Sequence, residues 1–160
     1  MMMFSCLTAL RRRPDAHAIL RGSEEYPELC GMVRFYQTGQ GVLTLAEVRG
    51  LPQGSGPCGG RVFGFHIHEG DACTGNAADP FAAAGGHENP GGCDHPHHAG
   101  DLPPLFENRG TALLLFLSHR FSVREVLGKT VIIHGEPDDF TTQPSGHAGE
   151  KIACGKIVRG

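Results

Sequence analysis

Ten histidines stand among 160 residues, and eight of them (His66, His68, His87, His95, His97, His98, His119 and His134) lie between positions 66 and 134. Imidazoles gathered beside carboxylates are the side chains that bind zinc and copper. His66-Ile67-His68 sets two rings two residues apart, so on a strand both project from one face and can offer nitrogens to one ion. Alone, that pair also reads as a polar strand face in solvent. His87, His95, His98 and Asp101 supply three imidazoles and a carboxylate, a donor set suited to tetrahedral zinc. The competing reading is a polar, histidine-rich loop that picks up metal without a defined site. His97, between two of these residues, reads as a bystander. His134 closes the apolar run Val131-Ile132-Ile133, and Asp138 or Asp139 just beyond it could accept the second ring N–H of a ligating histidine and fix its tautomer.

These residues need elements to aim them. Arg61 to Glu69 alternates, with Phe63, Phe65 and Ile67 on one face and Gly64, His66 and His68 on the other, so one face belongs in a core and the other carries imidazoles. Ala16 to Leu20, Cys30 to Gln37, Val42 to Val48, Thr111 to Leu117, Lys129 to His134 and Ile152 to Val158 also read as strands. Gly39-Gln40-Gly41 supplies a turn, and Ser122 to Leu127 suits a single helical turn. Gly70 to Gly110 shows no sustained period, and loops of that length are usually functional. A second polar loop runs from Gly135 to Glu150. Short strands joined by long loops predict an all-β, Greek-key barrel as one domain over 16–160, after an N-terminal extension at 1–15.

Composition agrees with this class and closes off others. The chain has 24 Gly, 11 Pro, no Trp and a formal net charge of −3. It offers no basic face for a nucleic acid and no apolar run long enough to span a membrane. Met1 to Leu10 precedes Arg11-Arg12-Arg13, the reverse of a secretory signal, which predicts a soluble, cytoplasmic protein. Cys6, Cys30, Cys58, Cys73, Cys93 and Cys154 include no CxxC pair and suit one bridge plus free thiols.

Four ordered blocks then become specific: Gly64-Phe65-His66-Ile67-His68-Glu69, His87-Glu88-Asn89-Pro90, His98-Ala99-Gly100-Asp101-Leu102 and Gly146-His147-Ala148-Gly149-Glu150-Lys151-Ile152-Ala153-Cys154-Gly155. They resemble the signature segments of copper, zinc superoxide dismutases, in a short-loop, bacterial-like form, from about Ala16 to the C-terminus. The resemblance implies an eight-stranded Greek-key barrel, an immunoglobulin-like sandwich whose two long loops form the metal site. It implies one copper on His66, His68, His87 and His134, and one zinc on His87, His95, His98 and Asp101, with His87 bridging. It further implies a Cys73–Cys154 disulfide, and Asp138 linking a copper ligand to a zinc ligand. The implied reaction converts two superoxide anions and two protons to dioxygen and hydrogen peroxide by copper redox cycling, with the copper-side histidines and Lys151 as the catalytic residues.

The chain departs from the family pattern in places. Only Pro96 and His97 separate His95 from His98, and the loop between Asp139 and Cys154 is short and lacks most of the charges that steer substrate. Lys151 stands where the family has an arginine beside copper, keeping the charge without the planar fork. His147 replaces an asparagine and reads as an exposed loop residue. Two other classes compete: a copper- or zinc-storing protein without turnover, and a zinc hydrolase with Glu69 or Glu88 as base. A copper chaperone and a second copy in a homodimer are the protein partners left open.

Overall fold

Every second side chain of Ala16–Gly22 (β1) is buried, with Ala16, Ala18 and Leu20 inward. The same period of two builds Cys30–Thr38 (β2) and Gly41–Arg49 (β3), which send Val33 and Phe35, and Val42, Ala46 and Val48, into the core. The structure, a computed structural model, describes residues 7–160. Residues 1–6 of the expected N-terminal extension lie outside the described residues. Leu7 onward is described, and a 3-10 turn at Thr8–Arg11 lays Ala9 and Leu10 over Tyr36 and Leu43 on the outer face of β2 and β3.

The remaining strands are Val62–Phe63 (β4), Phe65–His68 (β5), Leu105–Phe106 (β6), Thr111–Ser118 (β7), Thr130–His134 (β8) and Lys151–Arg159 (β9). Seven form an antiparallel sheet in the order β5-β8-β9-β1-β2-β3-β7, and β4 pairs with β6 in a two-stranded ribbon. The sheet curls until its ends are linked, because β4 leads into β5 while β6 packs beside β7. The links from β3 to β5 and from β7 to β8 cross between opposite ends of the sheet, which is the Greek-key connection. Among the described residues, counting β4 and β5 as one strand broken at Gly64 gives the eight strands expected.

That break has a cause. The Gly64 N–H donates to Glu136 O at 2.9 Å while its carbonyl accepts from His134 N at 2.8 Å, so the residue bonds to the β8 end and the loop after it. A Cβ at Gly64 would stand 2.8 Å from the Ala148 Cβ, an approach no side chain tolerates. The short β6 was not legible in the sequence, since two residues carry no period. The helical turn falls at Val123–Val126 (α1), closed by a capping box between Ser122 and Glu125.

Phe63, Phe65 and Ile67 are fully buried in the main core with Phe35, Leu105, Ile133 and Ile152. The opposite face of β5 and β8 is buried too, and loops do the covering. As the sheet's end strand, β5 has a free edge, and the first long loop pairs with it: Ile67 N donates to Gly100 O, Glu88 N to Ile67 O and Glu69 N to Gly86 O. A Cβ on Gly100 would lie 2.1 Å from the Ile67 carbonyl oxygen, so this seam needs a glycine. The edge pairing carries His87, His98 and Asp101 to the imidazole face. Cys73 and Cys154 form a disulfide that ties the start of the same loop to β9, beside Phe81, Ala84 and Ile132.

Candidate metal centre

His66 and His68 project from β5, His134 from the end of β8, and His87 from the loop segment bridged to His68. One donor atom from each lies within 4.8 Å of all the others, and the same holds for His87, His95, His98 and Asp101. His87 belongs to both groups. An ion held at about 2 Å by each donor spaces its ligands about 3 to 4 Å apart, close to what the rings already show.

Hydrogen bonds decide which nitrogen each ring presents. His68 donates from Nδ1 to the Gly85 carbonyl at 2.8 Å, and His134 from Nδ1 to the Gly149 carbonyl at 3.1 Å. Their Nε2 atoms then carry lone pairs and stand 3.1 Å apart, two acceptors facing each other. His66 donates from Nε2 to Asp138 at 2.7 Å, which leaves Nδ1 as its free lone pair. His95 donates from Nε2 to the other Asp138 oxygen at 2.8 Å, and its Nδ1 stands 3.1 Å from Asp101. His87 turns Nδ1 to Asp101 at 2.7 Å, and His98 Nδ1 lies 3.4 Å from that nitrogen.

Among the described residues, three buried ring nitrogens are left without a hydrogen-bond partner: His66 Nδ1, His87 Nε2 and His95 Nδ1. Orphaned buried acceptors are costly, and these three point to where the two ions would lie. The residues therefore fit copper and zinc. One set is His66 Nδ1 with the Nε2 atoms of His68, His87 and His134, and the other is the Nδ1 atoms of His87, His95 and His98 with Asp101.

Electrostatics match that assignment. Burial, reinforced by the charge of His66, lowers the His134 pKa to about 3, and burial with His134 nearby holds His68 well below the ordinary imidazole range. Both rings are neutral, as ligands must be. Burial alone would raise the Asp138 carboxyl, but hydrogen bonds from His66, Phe140 N and His95 bring it to about 2. At neutral pH it is a carboxylate that can only accept, so it fixes the tautomers of His66 and His95 together. Asp139 instead caps the turn at Thr141 and Thr142.

Lys151, at the start of β9, lines the cleft of about 880 Å³ in front of His68, His87 and His134 and is ion-paired to Asp79. His97 and His147 are exposed and belong to neither donor group. Glu88 pairs with Lys129 at 2.7 Å. Three contributors had no sequence signal: the carbonyls of Gly85 and Gly149, which any residue carries, and Gln143, whose side-chain amide brackets the His95 backbone on both N–H and C=O. Asp79 was equally silent, one acid among many in a long loop.

Comparison with known proteins agrees with this geometry. The family model for copper/zinc superoxide dismutase (SODC) matches residues 29–157. "Superoxide dismutase [Cu-Zn] 2" of Aquifex aeolicus is 33% identical over 157 residues, covering 89% of this chain and 85% of its own length. The Deinococcus radiodurans copper-zinc superoxide dismutase is 34% identical over 146 residues, covering 80% and 76%. Among solved structures, the Brucella abortus enzyme superposes with a TM-score of 0.72 at 24% identity, over 88% of this chain and 98% of that one, a likeness of fold. A variant of the superoxide dismutase-like protein of Bacillus subtilis gives 0.73 at 30% identity, over 89% and 97%. Matched over most of its length and carrying both donor groups, the chain belongs to the copper/zinc superoxide dismutase family, whose cofactors are copper and zinc.

Proposed function

We propose that the chain disproportionates superoxide, with copper on His66, His68, His87 and His134, zinc on His87, His95, His98 and Asp101, and both ions on the imidazole of His87. The observation that carries this is the His87 ring, buried between the two groups with Nδ1 toward Asp101 and Nε2 unpartnered on the copper side. Bound copper would take an electron from one superoxide and return it to another, so that two anions and two protons yield dioxygen and hydrogen peroxide. His87 Nε2 can hold one of those protons while Nδ1 stays on the zinc side. His68 and His134 border the open cleft, where the anion enters, and His66 is sealed behind them with no exposed surface. Asp138 keeps His66 and His95 in their ligating tautomers.

A second reading, metal binding without turnover, has one observation in its favour: the charge of Lys151, the cation expected to draw in the anion, is met by Asp79. A Bacillus subtilis relative named a superoxide dismutase-like protein is 32% identical over 114 residues. Reconstitution with both metals, metal counting and superoxide decay decide between the two. Dismutation predicts a protein-dependent rate that His134→Ala abolishes, whereas full copper occupancy with decay no faster than in metal-free controls leaves only the binding protein.

A further inference from the structure

Among the described residues, the cleft in front of His68 and His134 has a single cation on its wall, Lys151, against the carboxylates of Glu69, Asp79, Asp94 and Glu150. Two of these acids are engaged elsewhere, Glu150 by the Tyr26 hydroxyl at 2.8 Å and Glu69 by Gly86 N at 3.2 Å. Asp79 is the one that meets the ammonium, donated from Lys151 Nζ to its Oδ2. The lysine side chain is only 15% exposed, so the pair is less screened than one in open solvent.

Asp79 is held by hydrogen bonds of its own turn. Its Oδ1 accepts Phe81 N at 3.0 Å, its own N–H is held by Asn76 Oδ1, and its carbonyl accepts from Asn76 and Ala82. The turn it caps is bound to β9, the strand carrying Lys151, through the Cys73–Cys154 disulfide and through Phe81 and Ala84 packed on Ile132 and Cys154. The carboxylate is thus part of a fixed frame, and the flexible partner is the lysine.

We propose that Asp79 positions Lys151 so as to restrain anion capture, holding its ammonium on the loop side of the cleft and cancelling much of the field it would offer an anion approaching His68 and His134. This rests on the copper assignment of those histidines. Asp79→Asn keeps an oxygen for Phe81 N and removes the charge, which separates the lysine's position from the shape of the turn. Freed, the long, flexible side chain of Lys151 would offer its whole charge to the cleft that it lines with His68 and His134.

The test is azide binding to protein loaded with copper and zinc, read from the visible absorption of copper at low ionic strength. Asp79→Asn should tighten azide about tenfold where Lys151 is present, and by about twofold to threefold in a Lys151→Met background, where only a distant charge is lost. Asp79→Glu, which can keep the pair, should stay within about twofold of wild type. Unchanged azide affinity in Asp79→Asn, or an equal gain in both backgrounds, overturns the proposal. Azide capture needs no turnover, so a protein that gives this pattern yet leaves superoxide untouched loses the dismutase reading and keeps this one.

Discussion

Asp138 accepts the Nε2–H of His66 at 2.7 Å, with both side chains buried. Its second oxygen takes His95 at 2.8 Å, so one carboxylate sets the tautomer of a residue in each donor group. Asp138→Asn can present only one accepting oxygen. Both metals should bind more weakly, on the order of 10-fold to 100-fold, in competition with a chromophoric chelator. Equal affinities in variant and wild type would remove this role from Asp138.

Gly146 guards that contact from the other side. Its φ is +70°, and a Cβ there would lie 2.0 Å from Asp138 Oδ1 and 2.6 Å from His95 Nε2. Gly146→Ala should displace the carboxylate, weaken zinc more than copper, and cost about 2 kcal/mol in urea unfolding of the metal-free protein. Wild-type zinc affinity in this variant would show that the turn can retreat without moving Asp138.

Cys73 and Cys154 are 81 residues apart, so their bridge removes a large loop from the unfolded ensemble. Reduction, or Cys73→Ser, should lower stability by about 4 kcal/mol on the loop-entropy account. The two should give matching denaturation curves, because each frees the same loop from Ile132 and Cys154. A curve insensitive to reductant would mean that the apolar contacts alone keep the loop in place.

Metal-free protein should lose stability as pH falls from about 6.5, the ordinary imidazole value, toward about 3, the value that burial imposes on His134. In that window the unfolded chain binds a proton that the folded ring refuses, so acid favours unfolding, and burial of His66 and His68 acts in the same direction. Asp138, at about 2 when folded, adds a loss below about 4. Thermal scans from pH 7 to pH 4 check the slope, and a flat midpoint would contradict it. Bound zinc and copper should move the fall to lower pH, since protons must displace them.

The barrel was largely legible from alternation. Ala16–Gly22, Cys30–Thr38 and Gly41–Arg49 extend the expected strands by one or two residues, where hydrogen bonding outlasts the apolar pattern. The two-residue Leu105–Phe106 strand escaped notice because its pairing with Val62 and Phe63 is dictated by its partner and not by its own residues.

By itself the sequence determined the ligand types, the alternation that puts Phe63, Phe65 and Ile67 opposite His66 and His68, and the ordered blocks that mark the family. The bridging place of His87 and the choice of Asp138 over Asp139 came with the resemblance to the family, whereas only the tertiary structure decided which nitrogen each histidine presents and that Lys151 meets Asp79. The physical reason is range. Side-chain period is a local property of neighbours along the chain, whereas tautomers and ion pairs depend on carbonyls and carboxylates that folding brings from as far as 72 residues away.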